Sequence, residues 1–216
     1  MYIPAANRVD DKTRINSFIQ ANGFATVVTQ NDGRLCASHL PVLFDEAEEG
    51  HGVLRSHMAR ANEQWRHFES SEEVLCIFHG PHSYISPSSY VMQETVPTWN
   101  YAVVHVYGIA KVVEDAALLR QIVTGTTTKY ESHRPVPWKI TLPEAALAAM
   151  LNAIVGFSIQ ITRVEAKFKL GQNRSQADQD GMLRDLRASP DLGGRELANF
   201  ISAQRIPTKT EAKDND

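Results

Sequence analysis

The sequence is poor in cysteine, with only Cys36 and Cys76 among its 216 residues. Both lie inside apolar, strand-like runs, which favours buried thiols in a reducing compartment over a disulfide or a metal-binding pair. No run approaches the roughly 18 apolar residues that a membrane-spanning helix needs. The N-terminus lacks the basic region and apolar stretch of a secretory signal. We therefore expect a soluble, cytoplasmic protein without a membrane partner.

An excess of basic charge is also missing. The 22 Lys and Arg residues face 25 Asp and Glu residues, for a net charge of −3. Bulk charge therefore does not indicate nucleic-acid binding. The sequence has no G-x-G-x-x-G loop, P-loop or G-x-S-x-G elbow, so neither a doubly wound nucleotide-binding fold nor a hydrolase or kinase is indicated. It does have 43% apolar residues, enough for a substantial core.

Apolar patterning predicts the elements of secondary structure. The Asp-Gly pair at 32–33 lies between two apolar runs and predicts a hairpin. Three prolines make 80–97 mostly loop, with a short edge strand near Tyr84-Ile85. Thr141 and Glu144 form a capping box that opens a helix. The predicted strands are 24–29, 35–44, 52–54, 74–78, 102–113 and 157–164, and the predicted helices are 11–22, 58–68, 115–130, 143–153, 178–187 and 195–204.

These elements predict a mainly β fold with peripheral helices. Six or seven strands separated by hairpin turns, with the helices outside, indicate a closed or nearly closed antiparallel barrel. We expect the barrel domain to cover residues 1–186. A helical extension is expected at 187–206, and the polar tail 207–216 is expected to be disordered.

The block Ser56–Trp65 is the strongest functional signal. If a strand enters a helix there, the free N–H groups and the helix dipole favour a phosphate. Arg60 adds a charged fork for the same anion. The alternative is an ordinary capped helix with Arg60 in solvent.

Two further polar clusters have binding chemistry. In Thr98-Trp99-Asn100, a flat aromatic side chain lies between two hydrogen-bonding side chains, and a flavin ring requires both kinds of contact. The alternative is that Trp99 is a core residue. Lys167 and Lys169 share one face if the last strand continues, and Gln172 and Asn173 follow them. That face holds either an anion or solvent.

Four histidines raise the question of a metal site. His39, His79, His82 and His105 include no pair with the spacing of H-E-x-x-H, and the cysteines are not in ligand spacing. His79 and His82 flank a Gly-Pro turn and are close enough to meet. We expect no bound metal.

Several ordered blocks together resemble the FMN-binding negative transcriptional regulators of the PaiB type. The blocks are Met1-Tyr2-Ile3-Pro4, Ser38-His39-Leu40-Pro41, 56–65, Gly80-Pro81-His82, Tyr84-Ile85-Ser86-Pro87, 96–101, Val104-His105, Ile154-Val155-Gly156-Phe157 and 167–174. The resemblance implies an FMN-binding split barrel, related to pyridoxamine-phosphate oxidase. It also implies a homodimer with FMN at the subunit interface.

The residue types and the resemblance point to the same segments for binding FMN. The FMN phosphate and ribityl chain are assigned to Ser56, His57, Met58, the Ala59 backbone, Arg60 and Asn62. The ring is assigned to Thr98, Trp99 and Asn100, with the partner subunit as the source of this wall, and Lys169 and Gln172 complete the set of contacts.

Two functions remain open on the sequence, with a weaker third. The first is a flavin-binding regulator that acts on DNA directly or, since the C-terminal arginines are scattered and no helix-turn-helix is evident, through a metabolite or protein partner. The second is an FMN-dependent oxidoreductase, similar to flavin reductases or pyridoxamine-phosphate oxidase, with a small-molecule substrate and no identified catalytic residue. The third is a haem-handling split barrel, which would need an exposed histidine ligand.

Overall fold

A computed structural model describes residues 1–70 and 73–204, and the structural statements below refer to these residues. The predicted tail at 207–216 lies outside them. The strands are β1 (Arg8–Val9), β2 (Phe24–Asn31), β3 (Arg34–Pro41), β4 (Leu43–Asp45), β5 (Val53–Ala59), β6 (Val74–Ile85), β7 (Thr98–Val113) and β8 (Ile154–Lys169). The helices are α1 (Lys12–Ala21), α2 (Ala116–Glu131), α3 (Glu144–Asn152), α4 (Gln176–Ala188) and α5 (Leu192–Gln204), with short 3₁₀ helices at Ala5–Asn7, Glu63–Glu69 and Pro87–Ser89.

The strands form one sheet in the order β3-β2-β6-β7-β8-β5-β4, and β1 pairs with β8. The predicted β2–β3 hairpin is confirmed, with Asn31 opposite Arg34 across the turn. Asp32 and Gly33 both have positive φ, 49° and 75°. This is the backbone that a two-residue hairpin turn requires, and Asp-Gly adopts it readily.

The chain divides into two compact units. The first unit contains Met1, Val9–His79 and Val103–Ala166; the second contains Tyr2–Arg8, Gly80–Ala102 and the described chain from Lys167 onward. The core of the first unit includes the fully buried Phe78, Val104 and Phe157, and the Phe68 and Phe157 rings lie 4.9 Å apart. In the second unit, Phe168 packs edge-on against Phe200 with ring centroids 5.2 Å apart.

The helix predicted at 58–68 is wrong. β5 continues through Ala59, paired residue by residue with β8 from Gln160 to Ile154, and only Glu63–Glu69 is helical, as a 3₁₀ turn. Ser-His-Met-Ala has no β-branched residue, so its local preference is not for a strand. Pairing with β8, together with burial of alternate residues of β5, overrides that preference.

The structure also differs from the prediction at the end of β6, at the start of β7 and at the cap of α3. β6 runs through Pro81 to Ile85 instead of ending at Phe78, because proline is tolerated where its nitrogen is not needed in the ladder. β7 begins at Thr98, so Thr98, Trp99 and Asn100 belong to the strand. The helix after Thr141 has Pro143 at its N-cap position and no side-chain cap, so the capping box does not form.

No helix within the described residues is both long and apolar enough to cross a membrane.

Candidate functional site

β5 divides its candidate residues between two faces. Ser56 is completely buried, and its hydroxyl donates to the Pro41 carbonyl oxygen at 2.6 Å. Met58 is 2% exposed and belongs to the core. Any contact of these two residues with a cofactor therefore runs through their backbone.

His57 lies on the other face of β5, opposite Gly156 of β8. Its Nδ1 atom is buried and has no hydrogen-bond partner among the described residues. Burial lowers the pKa of the His57 imidazole. A neutral ring with one unused nitrogen is a hydrogen-bonding group still available to a ligand.

Arg60 follows the end of β5 and is held from one side. Its Nε donates to the Asn152 carbonyl at 2.8 Å and its Nη2 to the Ile154 carbonyl at 2.9 Å. The residue is exposed, and Nη1 has no partner in the described chain. A guanidinium fixed in this way keeps N–H donors for an anion.

The turn after Arg60 is fixed by Asn62. The Asn62 side chain accepts a hydrogen bond from the Gln64 N–H at 3.1 Å and donates to the Ser38 hydroxyl at 2.8 Å. Trp65 donates from its indole nitrogen to the Arg60 carbonyl at 3.1 Å. The block is therefore ordered by its own side chains, without the α-helix that the phosphate argument assumed.

In the second unit, Trp99 is not the core residue of the alternative interpretation, because it is 54% exposed. Its ring lies 6.2 Å from that of Tyr84, edge to face, and 6.3 Å from that of His82. An open indole supported by two other rings is suited to pack against a flat ligand.

The residues on either side of Trp99 point to the other face of β7. Asn100 is 1% exposed, and its Nδ2 donates to the Met182 sulfur at 3.1 Å, a weak acceptor. The Thr98 hydroxyl accepts a hydrogen bond from the Lys169 amine. Lys167, in contrast, is 8% exposed and donates to the Tyr2 carbonyl, so it does not lie on a solvated edge.

Gln172 is exposed, but the chain's own backbone uses both ends of its amide. Its Oε1 accepts from the Leu170 N–H at 2.7 Å, and its Nε2 donates to the Phe168 carbonyl. Gln172 thus closes the turn after β8.

A cavity of about 180 Å³ lies entirely among residues of the second unit. Its lining includes three predicted site residues, Thr98, Asn100 and Lys169, together with residues that the site prediction did not include. Arg174 could have been identified from the sequence, because this basic residue ends the same 167–174 block. The lining residues are Tyr90, Val96, Thr98, Asn100, Lys169, Gly171, Asn173 and Arg174.

Of the four histidines, His39 and His82 form hydrogen bonds, and the charge of His79 acts on His105. His39 hydrogen-bonds Thr26 at 3.0 Å, and His82 hydrogen-bonds the Gly80 carbonyl at 3.3 Å. The Nδ1 of His105 is buried and has no hydrogen-bond partner among residues 1–70 and 73–204, and the pKa of His105 is lowered chiefly by burial. Within the described residues, no group of three or more His, Cys, Asp or Glu side chains is arranged to hold a metal ion.

Groups in each unit, taken separately, have the chemistry that the expected cofactor, FMN, requires. The first unit offers an anchored guanidinium at Arg60 and an unused nitrogen at His57. The second offers an exposed indole at Trp99. A phosphate needs the first kind of group and an isoalloxazine ring the second.

Comparison with known proteins gives the family. The model of the family described as "Putative FMN-binding domain" matches residues 1–163. The chain is 40% identical over 203 residues to protease synthase and sporulation protein PAI 2 of Bacillus subtilis, covering 93% of this chain and 96% of that protein.

Solved structures agree on the fold. The FAD and heme binding protein of Mycobacterium smegmatis matches with a TM-score of 0.59 at 15% identity, over 81% of this chain and 78% of that chain. The flavocytochrome Anf3 of Azotobacter vinelandii matches with a TM-score of 0.57 at 14% identity, over 80% and 74%. The predicted mainly antiparallel split barrel is confirmed. The chain belongs to the FMN-binding family that its sequence blocks resemble, and FMN is the cofactor that this membership gives it.

Proposed function

We propose that this chain is a homodimeric FMN-binding regulator. In this proposal the segment from Ser56 to Asn62 holds the phosphate and ribityl chain. Trp99 of the partner subunit covers the ring. Thr98, Asn100 and Lys169 line the cavity of the second unit instead, and Gln172 bonds its own backbone, so these four are not given ring contacts. The bound flavin supplies redox chemistry and absorbance, and the protein supplies binding and orientation.

The anchored guanidinium of Arg60 carries the assignment of the phosphate. Two carbonyl oxygens fix the Arg60 side chain at 2.8 and 2.9 Å, so little side-chain freedom remains to be lost on binding. The segment has no α-helix N-terminus, so the side chain and the backbone at the end of β5 must supply the donors.

The regulatory role is supported by similarity along nearly the whole chain. The name of the Bacillus relative refers to protease synthase and sporulation, and the alignment covers 96% of that protein. The net charge of −3 does not favour DNA as the direct partner. We therefore place regulation at the level of a small molecule or a protein partner.

Titration of the full chain with FMN tests the site. We expect FMN absorbance to shift and flavin fluorescence to change on binding, and Arg60→Gln to weaken FMN affinity about tenfold or more, since it removes a charge-assisted contact. Arg34→Gln makes the same charge change on an exposed strand residue and is the matched control. Equal affinities of the two variants would place the phosphate elsewhere, and absence of binding would refute the proposal.

The second candidate, an FMN-dependent oxidoreductase, shares this site. The observation in its favour is the cavity near β7 and β8, which offers an anionic substrate a place lined by Lys169 and Arg174. Rapid bleaching of the bound flavin by a nicotinamide cofactor would favour the enzyme over the regulator.

A further inference from the structure

The cavity in the second unit is positively charged. Lys169 and Arg174 line it, and none of the eight described residues that line it is Asp or Glu. Within the described residues, no carboxylate lies in ion-pair distance of either cation. Two cations that share a partly desolvated space without a counter-charge favour an anion between them.

Local structure holds Arg174 in place at this cavity. Gly171 has a φ of 82°, which turns the chain at the end of β8, and the Arg174 N–H donates to the Gly171 carbonyl at 3.0 Å. The Arg174 Nη2 donates to the Thr95 hydroxyl at 2.8 Å, and the guanidinium lies 4.7 Å from the Tyr90 ring centre. The Arg174 guanidinium is therefore held in position before any ligand binds.

The nearby carboxylate of Asp178 is already engaged. Its Oδ1 accepts hydrogen bonds from the Val91 N–H at 2.8 Å and the Met92 N–H at 3.2 Å. The Met92 hydrogen bond chiefly, and the Arg174 charge in part, lower the pKa of Asp178. Asp178 thus caps the 91–92 backbone and is not among the residues that line the cavity.

Volume limits the occupant. At about 180 Å³ the cavity is smaller than the roughly 300–1,000 Å³ of pockets that enclose drug-sized ligands. It has room for one compact charged group with hydroxyl and amide partners, and Thr98 and Asn173 supply such partners. A three-ring cofactor does not fit inside it.

We propose that this cavity binds the oxyanion, phosphate or carboxylate, of a small molecule other than FMN. The inference rests on the proposed function in one respect, because that function assigns the FMN phosphate to Arg60. The ligand would be the metabolite through which the regulator responds or the substrate of the alternative enzyme.

Calorimetric titration of inorganic phosphate into the full chain saturated with FMN tests the inference. We expect wild-type protein to bind phosphate and Arg174→Gln to bind it about tenfold more weakly or worse, with FMN affinity unchanged. Arg187→Gln is the matched control, since Arg187 is exposed on α4, outside the cavity, and hydrogen-bonds Ser202. Absence of phosphate binding, or equal binding by both variants, overturns the inference.

Two further results separate the inference from the proposed function. If phosphate displaces FMN and Arg174→Gln weakens both ligands alike, the cavity holds the flavin's own phosphate and the inference is wrong. If the chain binds no FMN, the proposed function fails, and phosphate titration of the flavin-free chain still decides about the cavity.

A second variant avoids dependence on the packing of Arg174. Asn173 is exposed, so Asn173→Asp adds a carboxylate at the cavity without removing a buried contact. We expect it to weaken phosphate binding about tenfold, while Ala177→Glu, which adds the same charge at an exposed position outside the cavity, leaves it unchanged. Equal phosphate affinities of these two variants would contradict the assignment.

Discussion

Residues of the same type differ here because their surroundings differ. Lys167 is 8% exposed and bonded to a carbonyl, whereas Lys169, two residues on along β8, lines the cavity. Cys36 is half-buried, whereas Cys76 is fully buried. Burial raises the pKa of the Cys76 thiol to about 12. Chemistry at the residue scale is therefore set by exposure more than by residue identity.

The two cysteines should differ in reactivity. Because the thiolate is the nucleophile, Cys76 has almost none of the reactive form at neutral pH. We expect a chromogenic disulfide reagent to titrate one thiol, that of Cys36, in folded protein and two after denaturation. Cys36→Ser should leave the folded protein unreactive. Rapid modification of folded Cys36→Ser would show that Cys76 is accessible.

His57 should make stability depend on pH. Burial lowers its pKa below the ordinary value of 6.5. Between the lowered pKa and 6.5 the unfolded chain binds more protons than the folded one, so the free energy of unfolding rises with pH across that interval and falls on acidification. Urea titrations at about pH 7.5 and about pH 5.5 measure the change. His57→Gln should reduce it, and His51→Gln, at an exposed position, should not.

At the scale of elements, close backbone contacts set what each helix tolerates. A Cβ added at Gly181 of α4 would lie 2.1 Å from the Ser89 carbonyl oxygen. At Gly125 of α2 the nearest atom would be the Leu43 Cδ1, 3.0 Å away, at the far end of a flexible side chain. A side chain at Gly181 can be accommodated only if the helix moves, because the contact is with backbone. A side chain at Gly125 can be accommodated by a small movement of the Leu43 side chain.

Alanine at these two glycines should therefore have different effects. Gly181→Ala should lower the free energy of unfolding by about 1–3 kcal/mol, because α4 must move from the 3₁₀ turn at Pro87–Ser89. Gly125→Ala should be neutral or stabilising by up to about 1 kcal/mol, since helix propensity rises. Urea denaturation followed by circular dichroism measures both. Equal effects would contradict the difference in packing.

Local sequence signals predicted the elements whose causes are local. Asp11 caps α1, and Asp32 with Gly33 makes the hairpin, because a few adjacent residues determine each of these structures. The end of β5, Met58 and Ala59, was predicted to be helical because its strand conformation comes from pairing with β8, about 100 residues away in sequence. Thr98 was placed before β7 rather than in it for the same reason.

The sequence predicted only those parts of the site that depend on residue type, and not those that depend on the fold. Arg60, Trp99 and Lys169 were identified by residue type, and the structure leaves each of them groups available for binding. The hydrogen bond of Ser56 to Pro41 could not be predicted, because it depends on how β5 meets the end of β3, and these strands are not neighbours in the sheet. Arg174 joins the cavity only because Gly171 turns the chain, which composition does not reveal.

At the scale of the whole molecule, charge argues against direct DNA binding. With 22 basic and 25 acidic residues, the chain lacks the cationic excess that releases counterions from a duplex. We expect purified FMN-loaded protein not to retard promoter DNA in a gel at about 50 mM salt. Direct binding would instead give retardation at about 50 mM salt that disappears at about 200 mM. Retardation with that salt dependence would show a direct DNA-binding surface and refute regulation through a partner alone.

The proposed homodimer predicts that one flavin contacts two chains. If Arg60 of one subunit and Trp99 of the other bind the same FMN, each single variant, Arg60→Gln or Trp99→Ala, damages both sites of its own homodimer. A heterodimer of the two variants has one site with both changes and one with neither. After random exchange, about a quarter of all sites should therefore bind FMN with wild-type affinity, which fluorescence titration of the mixture detects as a tight fraction. Sedimentation should give twice the 24.1 kDa chain mass for every sample. A mixture without a tight fraction, despite verified exchange, would mean that Arg60 and Trp99 of the same chain form each site.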